Sequence, residues 1–206
     1  MTKSFIGRAL IAVSAAGAAI SLLRAEDPPA VPPEHADHAL HGSVAGEVAN
    51  PEPPKPEKFL FLGTEPKTAR LVLIASYNAA NYGMNFDGFS KGGAKCVVPL
   101  GWNVEVAFTN RSAVLHSAVV VERAMAKRVQ MGDPAFEGAS TTQPLRGTTG
   151  SKGETFRFKA SEAGDYAIAC GFPAHSANGH WIAFEVSDTA KEPSLQFGTT
   201  PAYTPK

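Results

Sequence analysis

The chain of 206 residues holds only two cysteines, Cys96 and Cys170, too few for a disulfide framework. Charge is scarce too: 18% of residues are Asp, Glu, Lys or Arg, and the two signs balance at 19 each. With no basic stripe or lysine-rich run, nucleic acid is excluded as a partner, and little long-range field exists to steer any other. Most of the chain also lacks a sustained apolar period of 3.6 residues, which excludes a helical bundle.

What is present instead is a series of short β-rich runs. They lie at 70–76, 94–98, 104–109, 117–122, 155–159, 165–169 and 181–186, separated by Asn, Gly and Pro. Such spacing predicts a single all-β domain, a sandwich or barrel, over residues 59–188. In the run from Asn103 to Phe108 the apolar residues alternate, so Val104, Val106 and Phe108 face the core. Residues 125–149 show no period and carry Gly132, Pro134, Gly138, Pro144 and Gly147; they read as a long excursion with a short helix near 124–129 and no legible role. From residue 189 to 206 the chain has few apolar residues and reads as a disordered or surface-draped tail.

The N-terminal part is different in kind. Residues 1–25 begin with Lys3 and Arg8 and continue in an apolar run from Ala9 to Leu23. That is the pattern of a secretory signal peptide cleaved after Ala25 or, if retained, of a short membrane anchor. Either outcome places the rest outside the cytoplasm. Residues 26–58 are rich in Pro and Ala and read as an extended linker. Within it His35, His38 and His41 are either a weak metal-loading tract or plain solvated histidines.

The chemistry concentrates in YAIACGFPAHSANGHWIAFEV, residues 166–186. Two strand-like runs flank a loop that carries Cys170, His175 and His180, spaced Cys-x4-His-x4-His. Gly171, Pro173 and Gly179 allow the loop to be tight enough for the three side chains to converge. Thiolate and imidazole together suit copper or zinc. A fourth ligand must come from elsewhere, and His116, in NRSAVLHSAVVVE, is the remaining histidine in a strand-rich region. A His2Cys trigonal set with a weak axial ligand is the arrangement of an electron-transfer copper site, whereas structural zinc sites ordinarily use two or more cysteines. The alternatives are a satisfied core histidine at 116, an ordinary buried thiol at 170 and a backbone-bonded loop histidine at 180. Cys96, inside a strand run, reads as a packed free thiol rather than a disulfide partner of Cys170.

Taken together, MNFDGFS (84–90), VVPLGWNVEVAFTN (97–110), His116 and CGFPAHSANGHW (170–181) resemble the sulfocyanin-type cupredoxins, in that family's order and spacing over residues 70–187. The resemblance implies a Greek-key β-sandwich, one copper per chain, electron transfer in the periplasm, and His116, Cys170 and His175 as equatorial ligands. It also implies a periplasmic cytochrome c and a terminal oxidase as partners. The family generally places Met at the axial position, where this chain has His180. An axial imidazole is expected to draw the metal out of the trigonal plane and give a more tetragonal, green centre. Ser117 follows the first histidine where the family often carries Asn, a shorter group with the same hydrogen-bonding chemistry. Trp181 and Phe184 are expected to wall the site from within, and Phe172, Pro173 and Ala174 to form an apolar docking rim around His175. Met84, Met125 and Met131 read as packing. No acid, base or substrate pocket is legible, so the expectation is an electron carrier and not an enzyme, with copper handling (chaperone or oxidase assembly) as the alternative.

Overall fold

A computed structural model describes residues 51–150 and 153–206. The 1–25 segment, most of the linker and the His35, His38, His41 tract lie outside the described residues. Among the described residues nine strands form two sheets: β1 (Leu60–Leu62), β2 (Thr68–Ala75), β3 (Ala94–Pro99), β4 (Asn103–Asn110), β5 (Val119–Glu122), β6 (Gly153–Lys159), β7 (Gly164–Ala169), β8 (Trp181–Ser187) and β9 (Ser194–Phe197). One sheet has the order β1-β2-β4-β6 and the other β5-β7-β8-β3-β9. The chain changes sheet at every step from β2 to β7, so β2 with β4 and β3 with β8 pair in parallel while the remaining pairs are antiparallel. This is an all-β sandwich of cupredoxin type.

Alternation sets the inner faces. Along β4, Val104, Val106 and Phe108 point inward, as the sequence pattern requires. They meet Leu71 and Leu73 of β2, Cys96 of β3, and Ile182 and Phe184 of β8 in one core. Cys96 is a buried free thiol in that core, and burial pushes it up to about 12, beyond use as a nucleophile or redox partner.

Strands β5, β7 and β8 do not alternate; they are buried on both faces. The excursion accounts for this. A short 3-10 turn at Arg123–Lys127 lays Ala126, and the chain beyond it Met131, on the outer face of the five-stranded sheet, over Val119, Val121, Ala167, Ala169 and Trp181. The excursion then runs beside β5, bonding Ala118 and Val120 from Ala135, Ala139 and Thr141. Phe136 enters the main core against Phe158 and Tyr166. The interval without a legible role is therefore a cover that closes one margin of the sandwich.

The expected C-terminal tail is corrected. Strand β9 pairs with β3, buries Leu195 and Phe197, and is followed by Tyr203, which bonds back to Leu195. A domain ending at residue 188 would leave the β3 edge open. β9 is short and lies between Pro193 and Pro201, which is why the sequence pattern conceals it.

Candidate metal centre

One end of the sandwich collects the four expected residues. Because β2 and β4 are parallel, both deliver their C-terminal ends there; β7 ends and β8 begins at the same place. Cys170 directly follows β7, His180 directly precedes β8, and His175 sits in the loop between them. His116 lies just before β5, its backbone bracketed by Thr148 (N–H to Thr148 O 3.1 Å, and Thr148 N–H to His116 O 2.8 Å). Buried Asn110 at the end of β4 fixes that loop by donating to the carbonyls of Val114 and Thr148.

Sequence spacing and structure agree on convergence. One ligand atom from each of His116, Cys170, His175 and His180 lies within 4.8 Å of the others. Cys170 Sγ is 3.9 Å from His116 Nδ1 and 3.6 Å from His175 Nδ1, and the two Nδ1 atoms are 3.2 Å apart. The ligand loop is held tight by its own backbone: His180 N–H donates to His175 O at 3.0 Å, and Cys170 N–H to His180 O at 2.9 Å.

Two of the imidazoles have their outer nitrogens occupied. Ser76 Oγ donates to Gly83 O at 2.8 Å, so at 3.0 Å from His116 it accepts from Nε2–H. The Asn85 carbonyl can only accept, so His180 Nε2 carries the hydrogen across their 3.0 Å contact. That leaves Nδ1 unprotonated on both rings and facing inward. His180 Nδ1 is wholly buried and has no hydrogen-bond partner among the described residues, an arrangement proteins rarely leave unresolved.

Burial governs the electrostatics. Loss of solvent first, and a neighbouring His175 charge second, lower His116 to about 4. Burial likewise holds His180 well below the ordinary imidazole range and lowers His175. Burial raises the Cys170 thiol, partly offset by hydrogen bonds from Ser117 and Phe172. Neutral imidazoles are metal ligands as they stand, and a buried thiolate needs an adjacent cation. One thiol, three inward Nδ1 atoms and an orphaned buried nitrogen fit a single copper ion.

The surroundings depart from expectation at two residues, Trp181 and Phe184. Trp181 does not wall the site; it faces the outer cover, beneath Arg123. Strand alternation explains this, because His180 points inward and its neighbour must point outward. The ring beside His180 is Phe86, with centroids 4.2 Å apart, while Phe184 packs in the same core against Phe158 and Tyr166. Ser117 does bridge the facing loop: Gly171 N–H donates to its Oγ at 2.9 Å, and the hydroxyl donates to Pro144 O at 2.7 Å.

From outside, the excursion grips the ligand loop through Ala174 N–H to Val129 O and Ser176 Oγ to Ala126 O, both 2.6 Å. Of the four clustered residues only His175 is partly exposed, beside Phe172 (centroids 4.8 Å) and Pro173. Sequence reasoning passed over Ser76, Asn85, Phe86, Asn110, Pro144 and Ser176. Asn85 and Phe86 lay inside the MNFDGFS motif, Asn110 at the end of VVPLGWNVEVAFTN and Ser176 inside CGFPAHSANGHW, none of them singled out; for Ser76 and Pro144 the sequence held no signal.

A two-sheet sandwich that gathers one cysteine and three histidines at a single end, on a β7–β8 loop and a distant strand entry, is a cupredoxin. Residues 58–195 match the family model described as the sulfocyanin (SoxE) domain, and the chain belongs to that family. Sulfocyanin of Sulfolobus acidocaldarius is 25% identical over 134 residues, which is 62% of this chain and 67% of that protein. Among solved structures, auracyanin from Roseiflexus castenholzii is 22% identical over 57% of this chain and 96% of its own, with a TM-score of 0.41. A rusticyanin is 19% identical over 60% of this chain and 79% of its own, with a TM-score of 0.47. At its coarsest, then, the function is that of a cupredoxin-like copper electron-transfer protein.

Proposed function

We propose that this protein carries electrons in the periplasm between a cytochrome c and a terminal oxidase, and that His116, Cys170, His175 and His180 would hold its one copper. The observation that carries the ligand assignment is the buried, unpartnered Nδ1 of His180, pointing into a cluster whose other members are a thiol and two inward-facing imidazoles.

Bound copper supplies a one-electron couple; the residues supply rigidity and exclusion of water. Three of the four clustered side chains are inaccessible, and the loop backbone ties each end of the site to the other. His175 alone offers a ring to solvent, in a rim of Phe172, Pro173 and Ala174 with exposed Val129 beyond it. With so little net charge, docking there is apolar rather than steered. The cytochrome and oxidase as partners rest on family resemblance, and the periplasmic location on the character of residues 1–25.

The test is the visible and paramagnetic resonance spectrum of the oxidised copper form, with and without His180→Ala, together with voltammetry. An intense thiolate-to-copper absorption, shifted in the variant, and a reversible couple are expected. A spectrum unchanged by the substitution removes His180 from the copper shell. A colourless Cu(I) protein that yields copper to an acceptor establishes copper handling instead, with His35, His38 and His41 as its acquisition tract.

A further inference from the structure

Residues 76–93 connect β2 to β3, and the first part of that connection, 76–88, is folded in an unusual way. Ser76, Asn81, Tyr82 and Asp87 all have left-handed backbone, with φ of 53°, 50°, 57° and 54°, although none is glycine. Asn81 and Asp87 are residue types that tolerate that region, but Ser76 and Tyr82 adopt it against a steric penalty, and such strain persists where the surroundings over-determine it. Here the determinant is Asn85, fully buried. Its Nδ2 donates to the carbonyls of Asn78 (2.9 Å) and Ala80 (2.7 Å), and its Oδ1 accepts from the N–H groups of Tyr77 (3.1 Å) and Gly88 (3.2 Å). Every hydrogen-bonding position of that amide is used to hold the buckle closed. Asn81 then ties the buckle to the ligand loop by donating to Asn178 O at 3.0 Å.

We propose that this buckle is a template for the copper site: Ser76 and Asn85 are positioning residues that fix the Nε2–H of His116 and His180 and so present both Nδ1 atoms, bare and aimed, before any metal arrives. The inference rests on the reading of these histidines as ligands and adds what orients them.

Both acceptors belong to the one strained segment. Ser76 Oγ, its hydrogen committed to Gly83 O, receives His116 Nε2–H. The Asn85 carbonyl receives His180 Nε2–H and also the backbone N–H of Ser76, at 3.0 Å each. The two imidazoles are thus referred to a common frame, and the ring of Phe86, next in the chain, lies against His180. Partners of this kind set the tautomer and direction of a ligating imidazole, and their loss ordinarily weakens metal binding about 10- to 100-fold. Ser76 combines left-handed backbone, φ 53°, with a hydroxyl 3.0 Å from His116 Nε2.

The test begins with the metal-free full-length protein, so that it does not depend on the copper couple. Nitrogen-15 NMR of the imidazoles is expected to show His116 and His180 as Nε2–H tautomers, each with a ring N–H resonance protected from solvent exchange. Finding either ring as Nδ1–H, or both ring protons in fast exchange, overturns the proposal without any variant. Ser76→Gly then removes the hydroxyl while accommodating the left-handed backbone. It is expected to abolish the protected His116 signal, leave that of His180, and lower Cu2+ affinity about 10- to 100-fold. An unchanged His116 signal with affinity within twofold of wild type also overturns it. Asn85→Ala is expected to lose both signals. Failure of the electron-carrier reading shows separately, as an irreversible couple in a protein whose tautomers are as stated.

Discussion

The Nδ1 atoms of His116 and His175 lie 3.2 Å apart, and each is within 4 Å of Cys170 Sγ, at 3.9 and 3.6 Å. Since His116 Nδ1 is bare, a single hydrogen held by His175 can join the two rings when no ion is present. For His175 Nδ1 to hold an ion, that hydrogen would move to the ring's outer nitrogen, which changes tautomer and not charge. The thiol is different, because its raised pKa keeps it protonated at neutral pH. Binding of Cu2+ is therefore expected to release about one proton per ion at neutral pH, all of it from Cys170. As the pH falls towards about 4, where His116 takes up a proton in the metal-free protein, the count should rise. Potentiometric titration in weak buffer measures both; two or more protons at pH 7 would mean that the histidines are charged in the folded metal-free state.

Gly171 sits where a side chain has no room. A Cβ there would meet Pro144 Cβ and O at 2.8 Å and Pro144 C at 3.0 Å, and much of that obstruction is backbone. Gly171→Ala should push the excursion away and break the Ser117 bridge between Gly171 N–H and Pro144 O. A loss of about 1–3 kcal/mol in urea unfolding is expected, with a shifted thiolate-to-copper band because Cys170 is the neighbouring residue. Wild-type stability and spectrum would mean that the excursion does not hold the ligand loop.

Truncation after Asp188 removes β9 with Leu195 and Phe197. Burying two such side chains contributes about 3–6 kcal/mol, and the exposed β3 edge would be open to pairing with other chains. The truncated protein is expected to unfold at markedly lower denaturant and to self-associate on size-exclusion chromatography. A monomer of wild-type stability would show that β9 is dispensable.

Asp87 is buried, with Oδ1 accepting the Ile74 N–H at 2.7 Å and Oδ2 unpartnered. Burial raises its pKa well above the ordinary value, against smaller opposing effects of the Ile74 hydrogen bond and Arg111. A carboxyl raised in the folded state contributes stability that is full below its unfolded pKa and is lost as the pH rises through the folded one. The histidines act oppositely: held low, they contribute stability above the unfolded imidazole pKa and lose it as the pH falls through about 4 at His116. Asp87→Asn removes only the first contribution and tolerates the left-handed backbone. Its stability relative to wild type, in the metal-free form, is therefore expected to improve steadily as the pH rises from 3. A difference that stays flat up to pH 8 would mean the carboxyl keeps one charge state throughout.

The sandwich was legible where its strands keep a rule. Val104, Val106 and Phe108 alternate along β4, and the Cys170, His175, His180 loop announces itself because a lone thiol between imidazoles has little other use. Trp181 was misplaced because the position beside an inward ligand in a strand must turn away, into a layer the sequence did not disclose. That layer is aperiodic coil: Ala126, Met131 and Phe136 are buried one at a time at irregular intervals. The buckle was hidden for another reason. Its asparagines and glycines signal a turn, but left-handed φ at Ser76 and a carbonyl at Asn85 are properties of backbone geometry, which residue types alone do not specify.

The enclosure of the centre has a further consequence for traffic. With His116, Cys170 and His180 sealed and His175 the sole member of the cluster facing outward, the doorway of the proposed electron route would also be the way out for a bound ion. A chelator can then strip the metal no faster than the segment around His175 swings clear of the excursion that clasps it at Ala174 and Ser176. Retention would then be a matter of how often one short stretch of chain lets go, and a partner docked on that rim as proposed would slow the loss.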